Sequence, residues 1–348
     1  QYADFAAWDR QRVSAGDLTE RLDHWRQVLA APRSVLRLPE DRPRPRSFGY
    51  RGSHEGFALS PELTAGLTQL AQAGSATLFM ALLAAYATLL YRYSGQSDLV
   101  IGVPMANRDR PELEPAVGLF LNTLPIRVDL SGEPGFDAVL GRVREQMLEA
   151  LAHQVPFERV VEALRPEREP SRTPIFQAMF SFQNHPPGTL SLPGLAVEEQ
   201  EVDTGTVKCD LNLFVAAGAN GMSGSLEYST ELFDRETILG MLQSWQRLLV
   251  ALVEAPQVPI SKLPLRDGGR ELVGPSASLG APLLHEGFRD QASRTPDAVA
   301  AVFEGKHLSY ATLERRSDEL ARRLRAGPPR RLRAPGALQL HCLGLARR

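Results

Sequence analysis

The sequence predicts a layered α+β fold, because helical and strand-like apolar patterns occur in mixed order without a regular strand–helix repeat. Two further observations bound that expectation. A length of 348 residues suggests about two domains. A Gly/Ser/Pro-rich stretch, "LRDGGRELVGPSASLGA" at 265–281, separates a long first part from a short second one.

The elements follow in order. Residues 17–30 carry Leu18, Leu22, Trp25 and Leu29 at helical spacing with charges between them. "LPEDRPRPRSFGYRG" then reads as a connector without periodicity. From 77 to 93, Leu78, Leu82, Tyr86, Leu89 and Tyr93 mark a second helix, stopped by Gly95. "DLVIGV" reads as a buried strand. "LPIRVDL" reads as a half-buried one with Leu124, Ile126, Val128 and Leu130 on one side. Residues 136–152 form an amphipathic helix through Val139, Val143, Met147 and Leu151, and Pro156 begins the next helix. "IFQAMFSFQN", "CDLNLFVA" and "MSGSLEYS" are further strand candidates. Asp234 is expected to cap a last long helix with Ile238, Leu242, Trp245, Leu249 and Leu252 buried. Beyond the linker, a strand, a turn at Glu304-Gly305, a second strand and a helix are expected. The final stretch from 327 onward is Arg/Pro/Gly/Leu-rich and keeps no period.

Composition excludes several classes of function. Thirty-nine Lys and Arg against 41 Asp and Glu leave a net charge of -2, so neither a nucleic-acid footprint nor a basic membrane face is expected. The most apolar stretch, "TLFMALLAAYATLLY" at 77–91, is short for a bilayer and holds two threonines, which favours a buried helix. Cys209 and Cys342 fit no metal or disulfide pattern, and no signal-peptide pattern opens the chain, so a reducing cytoplasm is expected. The first residue is Gln1 rather than Met, from which the true N-terminus is expected to lie upstream.

No catalytic constellation stands out from the residues themselves. The seven histidines are scattered, none at metal-ligand spacing with another His, Cys or carboxylate, so no metal site is expected. There is no Gly-rich phosphate loop and no Gly-x-Ser-x-Gly elbow. His153 falls at a helix C-terminus, where the macrodipole favours it without catalytic duty. Glu198 and Glu199 read as a solvated edge. Arg108 follows a buried strand directly, and Asn122 is an amide inside an apolar run that needs partners if buried.

Read together, these segments resemble the condensation domain of nonribosomal peptide synthetases across residues 1 to about 265. "YADFAAW" at 2–8 is similar to the family's Tyr-x-Asp-Phe/Tyr-x-x-Trp motif, which places Tyr2, Asp4 and Trp8. "VGLFLNTLPIRV" at 117–128 resembles the Gly-x-Phe-Val-Asn-Thr segment through Gly118, Phe120, Asn122 and Thr123. "HQVPFE" resembles the His-Gln-x-x-Pro-Phe-Glu motif, one residue shorter, through His153, Gln154, Pro156, Phe157 and Glu158. "REPSRTPIFQAMFSFQN" resembles the Arg-x-x-Ser-Arg-x-Pro segment through Ser171, Arg172 and Pro174. Residues 284–324 look like the opening of an adenylation domain.

The resemblance implies a domain division: 1–265 condensation, 266–281 linker, 282–326 adenylation start, and 327–348 an anomalous tail of the kind a shifted reading frame produces. It implies a chloramphenicol-acetyltransferase-like layered fold, mainly the C-terminal lobe of a two-lobed domain, then a truncated α/β start of an adenylation domain. It also implies amide formation between an upstream acyl or peptidyl thioester and a downstream aminoacyl thioester. Both are carried on 4'-phosphopantetheine by upstream and downstream peptidyl carrier domains. No cofactor is bound directly, and ATP and Mg belong only to a complete adenylation domain.

The family's His-His-x-x-x-Asp-Gly motif does not occur among the 348 residues. The N-terminal subdomain that carries it is expected to be a missing partner, and this chain is expected to be inactive alone. By its place in the family text, Arg108 corresponds to the arginine that pairs with the motif's aspartate. Without that partner it is expected to cost about 3–5 kcal/mol of stability. A non-catalytic carrier-binding platform and a stand-alone acyltransferase of the chloramphenicol acetyltransferase type are the alternatives.

Overall fold

The apolar run at 77–91 forms the centre of the principal core. The computed structural model describes residues 1–14, 18–30, 35–108, 110–167, 169–183, 203–218, 221–265, 284–303 and 306–325. The chain divides into two units, residues 1–269 and 270–348.

The first unit begins with helices α1 (Tyr2–Ser14) and α2 (Leu18–Val28). Strand β1 (Gly52–Leu59), helices α3 (Pro61–Ala73) and α4 (Leu78–Ser94), and strands β2 (Asp98–Met105) and β3 (Asn122–Asp129) follow. Then come helices α5 (Phe136–Ala152) and α6 (Phe157–Leu164), strands β4 (Ala178–Gln183), β5 (Leu211–Gly218) and β6 (Gly221–Ser229), and helix α7 (Arg235–Glu254).

The six strands form one mixed sheet in the order β1-β6-β5-β4-β2-β3. The pairs β2–β4 and β4–β5 are parallel, and the other three are antiparallel. Because side chains alternate along a strand, register places Ile126, Ile101, Ala178, Leu211 and Tyr228 in one row across the sheet. That row is buried. Residues of α3, α4, α5 and α7 join it in one continuous core. Helix α4 is buried from Met80 to Leu90. Each fully buried leucine there contributes about 1.5–3 kcal/mol of transfer free energy. Thr77 caps the start of α4, accepting from the Met80 N–H. Gly95 ends it in the left-handed region at φ 69°, where glycine carries no Cβ penalty.

Several sequence expectations change. Leu151 is exposed, and Leu140 and Ala150 are buried on α5 instead. Asp234 occupies the N-cap of α7 without a side-chain capping bond. Its carboxylate pairs with Arg42, while Asp41 accepts from the Asp234 N–H at 2.8 Å and the Thr237 hydroxyl at 2.9 Å. Residues 175–177 precede β4 rather than belonging to it. Ile175 sits at φ 73° in a tight turn closed by the Phe176 N–H on the Pro174 carbonyl at 2.9 Å. In the first unit, the helices and strands without a sequence assignment are α1, β1 and α3.

The second unit holds α8 (Leu284–Arg294), an antiparallel hairpin of β7 (Val299–Phe303) and β8 (Lys306–Ser309), and α9 (Tyr310–Arg325). Phe288 and Tyr310 pack ring to ring at 5.6 Å. The turn at 304–305, the linker at 266–281, Glu198, Glu199, Cys342 and the tail from 327 lie outside the described residues. Among the described residues, no single helix is long and apolar enough to cross a membrane.

Candidate functional site

The motif residues of α1 and of segments 118–123 and 153–158 gather beside β3 in two groups, while Ser171, Arg172 and Pro174 lie in the segment before β4. The first group is built on the loop that leads into β3. Phe120 is buried between Val117, Leu119 and Leu121, which are exposed. Its ring meets Phe5 at 4.7 Å and Tyr2 edge-on at 5.2 Å. Phe5 also packs against Trp8 at 5.9 Å, so Tyr2, Phe5 and Trp8 line one side of α1. The Tyr2 hydroxyl donates to the Leu119 carbonyl at 2.9 Å. A Cβ on Gly118 would stand 2.2 Å from the Tyr2 ring, so only glycine admits this approach. Asp4 is exposed.

Arg108 does not stand without a partner, which corrects the expected unpaired charge. Its guanidinium lies over the Phe120 ring at 4.2 Å. It donates to the carbonyls of Leu113, of Ala116 at 2.9 Å and of Glu114 at 3.3 Å. Three carbonyl dipoles and a π-face therefore surround the charge. Arg110 stacks likewise over Trp8 at 4.3 Å. An open groove of about 580 Å³ adjoins this group, lined by Gln1, Tyr2, Ala3, Glu112, Pro115, Ala116 and Val117.

The second group is organised by Asn122. Its amide donates to the Val155 carbonyl at 2.9 Å, and its carbonyl oxygen accepts from Thr123 N–H at 3.0 Å and Phe157 N–H at 3.1 Å. Phe157 is the first residue of α6, and Pro156 at the N-cap has no side chain able to cap it. Asn122 thus caps α6 from a neighbouring strand. Glu158 lies in the first turn of α6, where the helix dipole favours a negative charge. His153 is the C-cap of α5. Its N–H donates to the Glu149 carbonyl at 3.0 Å, and its ring Nδ1 lies 2.9 Å from the same oxygen. The His153 carbonyl accepts from Trp25 Nε1 at 2.8 Å, and that of Gln154 from Arg21 at 3.1 Å, tying α2 to this turn.

Phe157 packs on Phe176 at 5.4 Å, and a Cβ on Gly102 would meet the Phe176 ring at 2.5 Å. Ser171 is buried, and its hydroxyl donates to Glu169 at 2.7 Å. Arg172 pairs with the same carboxylate. The Ser171 hydroxyl, then Arg172, hold the Glu169 carboxyl below its ordinary range. Arg44, from the "LPEDRPRP" connector, binds Asp210 through two bonds of 2.6 and 3.0 Å and donates to the Ser171 carbonyl at 3.2 Å. Pro174 is exposed at the turn before Phe176.

Two features join residues far apart in the sequence. One is the Arg44–Asp210 pair, whose members lie 166 residues apart. The other corrects the expectation of no metal-ligand cluster: His24, Glu149 and His153 each offer a ligand atom, all within 4.8 Å of one another.

With this geometry in place, residues 1–270 match the family described as the condensation domain, and the chain belongs to that family. It is 39% identical over 332 residues to malpinin synthetase of Mortierella alpina, covering 93% of this chain and 4% of that protein. It is 40% identical to phosphinothricin tripeptide synthetase PhsB of Streptomyces viridochromogenes, covering 93% of this chain and 28% of that one. This chain therefore spans a minor part of the length of either relative. Among solved structures, the X-domain of teicoplanin biosynthesis in complex with OxyB superposes with a TM-score of 0.70 at 31% identity. That match covers 76% of this chain and 60% of the X-domain. A holo four-domain nonribosomal peptide synthetase bound to AMP and glycine matches with a TM-score of 0.67 at 27% identity, over 90% of this chain and 25% of that one.

Proposed function

We propose that this chain is part of a nonribosomal peptide synthetase elongation module that joins an upstream acyl or peptidyl thioester to a downstream aminoacyl thioester through an amide bond. The observation that carries this reading is the condensation-domain match over residues 1–270, within which the motif-bearing segments of α1, 118–123 and 153–158 converge beside β3. The reaction needs a neutral amine, a stabilised oxyanion and both thioesters held at attack distance. The residues here serve the last requirement. Arg108 and the α1 aromatics order the loop at 110–121, and Asn122 fixes the start of α6 against β3. The amine-activating histidine belongs to His-His-x-x-x-Asp-Gly text outside these 348 residues. The substrates arrive on phosphopantetheine arms of two carrier domains, in the cytoplasm.

Residues 284–325 support an adenylation start after the linker: a hairpin followed by a helix stands where that domain's opening is expected. The reading also holds that residues 1–265 are mainly the C-terminal lobe of a chloramphenicol-acetyltransferase-like pair. The test is reconstitution of the full module with both loaded carrier domains. It should form the condensed thioester, and Phe120→Ala should slow formation at least about tenfold. Amide formation by the 348-residue chain alone would overturn the assignment of the base.

A second reading has one observation in its favour. The X-domain that superposes on this chain was solved in complex with OxyB, so a domain of this fold can serve as a protein-binding platform. Carrier capture by the full module without amide formation would select it. A stand-alone acyltransferase, which would be trimeric, is disfavoured by residues 284–325.

A further inference from the structure

The pairing of His24 with His153 lies outside the peptide-forming reading. Their rings stack at 3.9 Å between centroids with 7° between planes. Glu149, one turn before His153 on α5, brings its carboxylate to 3.6 Å from His153 Nδ1. One ligand atom from each of the three lies within 4.8 Å of the others. We propose that His24, Glu149 and His153 form a binding site for one divalent transition-metal ion of the zinc class.

The donor set suits that ion. Two imidazoles and a carboxylate are ligands zinc takes in three-residue sites, which leave a fourth position open to water. Ligand atoms about 2.0–2.2 Å from a tetrahedral ion stand roughly 3.4 Å apart, so the three must draw in from spacings of up to 4.8 Å. Protonation state favours capture as well. Burial, then the neighbouring His153, pull His24 below the ordinary imidazole value, toward the neutral form that a metal ion requires. His153 Nδ1 lies 2.9 Å from the Glu149 carbonyl, so coordination through Nε2 would let Nδ1–H keep that hydrogen bond. Stacked rings hold their lone pairs parallel, so His24 must turn about its side-chain torsions to converge on an ion. It is half-buried at the surface of α2 and has room to do so.

The structural consequence is a cross-link. His24 belongs to α2, and Glu149 and His153 to the end of α5, 125 or more residues away in sequence. Trp25 and Arg21 already tie α2 to the turn after α5. An ion here would lock the same seam.

The test is a calorimetric titration of untagged, full 348-residue protein with Zn²⁺ alone, repeated with Co²⁺ to read its visible absorption. Wild type should bind one equivalent. His24→Ala should weaken binding at least tenfold and abolish the Co²⁺ absorption of a four-coordinate site, and Glu149→Gln should weaken it several-fold. His54→Ala, a histidine outside the cluster, should match wild type. If His24→Ala perturbs the far-UV circular dichroism, His24→Gln replaces it and should show the same loss. Wild-type binding no tighter than that of the His24 variant, or equal weakening by His54→Ala, overturns the site.

Discussion

The face of the sheet under α4 and α7 differs in kind from the seam where α1 meets the loop before β3. Under α4 and α7, Trp245, Tyr86, Phe180 and most leucines of both helices are almost fully enclosed, and area removed from water dominates. At the seam, Phe120 is enclosed while Val117, Leu119 and Leu121 beside it are 92%, 74% and 57% exposed. Order there comes from directional contacts: a tyrosine hydroxyl on a carbonyl, a guanidinium on three carbonyls and a ring. The first region accepts any well-packed apolar set of the right volume. The second depends on particular atoms, which is why its residues are recognisable as motifs.

The largest expected effect tests whether the distinction is real. Trp245→Ala should cost about 3–5 kcal/mol in urea unfolding. Phe120→Ala should cost clearly less, while accelerating hydrogen exchange across residues 2–14. Equal losses in the two variants would mean that the seam is simply more core.

Asn122→Ala comes next. It removes the acceptor for the Phe157 N–H and should cost about 1–3 kcal/mol, with the exchange increase concentrated in α6. A uniform increase would show that Asn122 is not a local cap.

Within the core itself, the Tyr86 hydroxyl is buried without a hydrogen-bond partner. Tyr86→Phe should be neutral or stabilising by up to about 1 kcal/mol. Destabilisation would reveal a directional contact in the region assigned to packing.

The smallest effect concerns acid. The Glu169 carboxyl is depressed by Ser171 and Arg172, so its contribution is present above the ordinary value of 4.5. It is lost as pH falls below that value through the depressed one. The Ser171–Pro174 segment of wild type should loosen over that range, measured by hydrogen exchange corrected for its intrinsic pH dependence. Glu169→Gln should remove this pH response.

Legibility in the sequence follows the same division. Helices α5 and α7 are readable because their burial repeats with the helical period, α4 and β2 because they are continuous apolar runs, and β3 through Leu124, Ile126 and Val128 on one side. Helix α3 carried a readable signal too: Ser60 accepts from the Leu63 N–H, Pro61 opens the helix, and Leu63, Leu67 and Leu70 follow at helical spacing. Strand β1, with glycines at 52 and 56, owes its form to pairing with β6 rather than to local preference. In α1, the spacing of Tyr2, Phe5 and Trp8 marks a helical face, yet charges and alanines around them dilute the apolar signal. The identity of the seam was legible through Phe120 and Asn122. The partners of Arg108 were not, because backbone carbonyls leave no mark in a sequence. His24 and His153 meet only through tertiary packing, so spacing could not reveal them.

The register of β1 on β6 has a consequence for synthesis. Gly52 pairs with Ser229, and Leu59 with Met222. At about 5–20 residues per second on the ribosome, β1 waits on the order of 10–30 s before β6, its sheet neighbour among the described residues, exists. Throughout that interval it is an unpaired strand on a nascent chain, open to pairing with a neighbouring copy. The glycines and polar residues that make β1 a poor strand by itself also make it a poor template for such pairing. A weak local preference thereby protects the chain until the correct partner emerges.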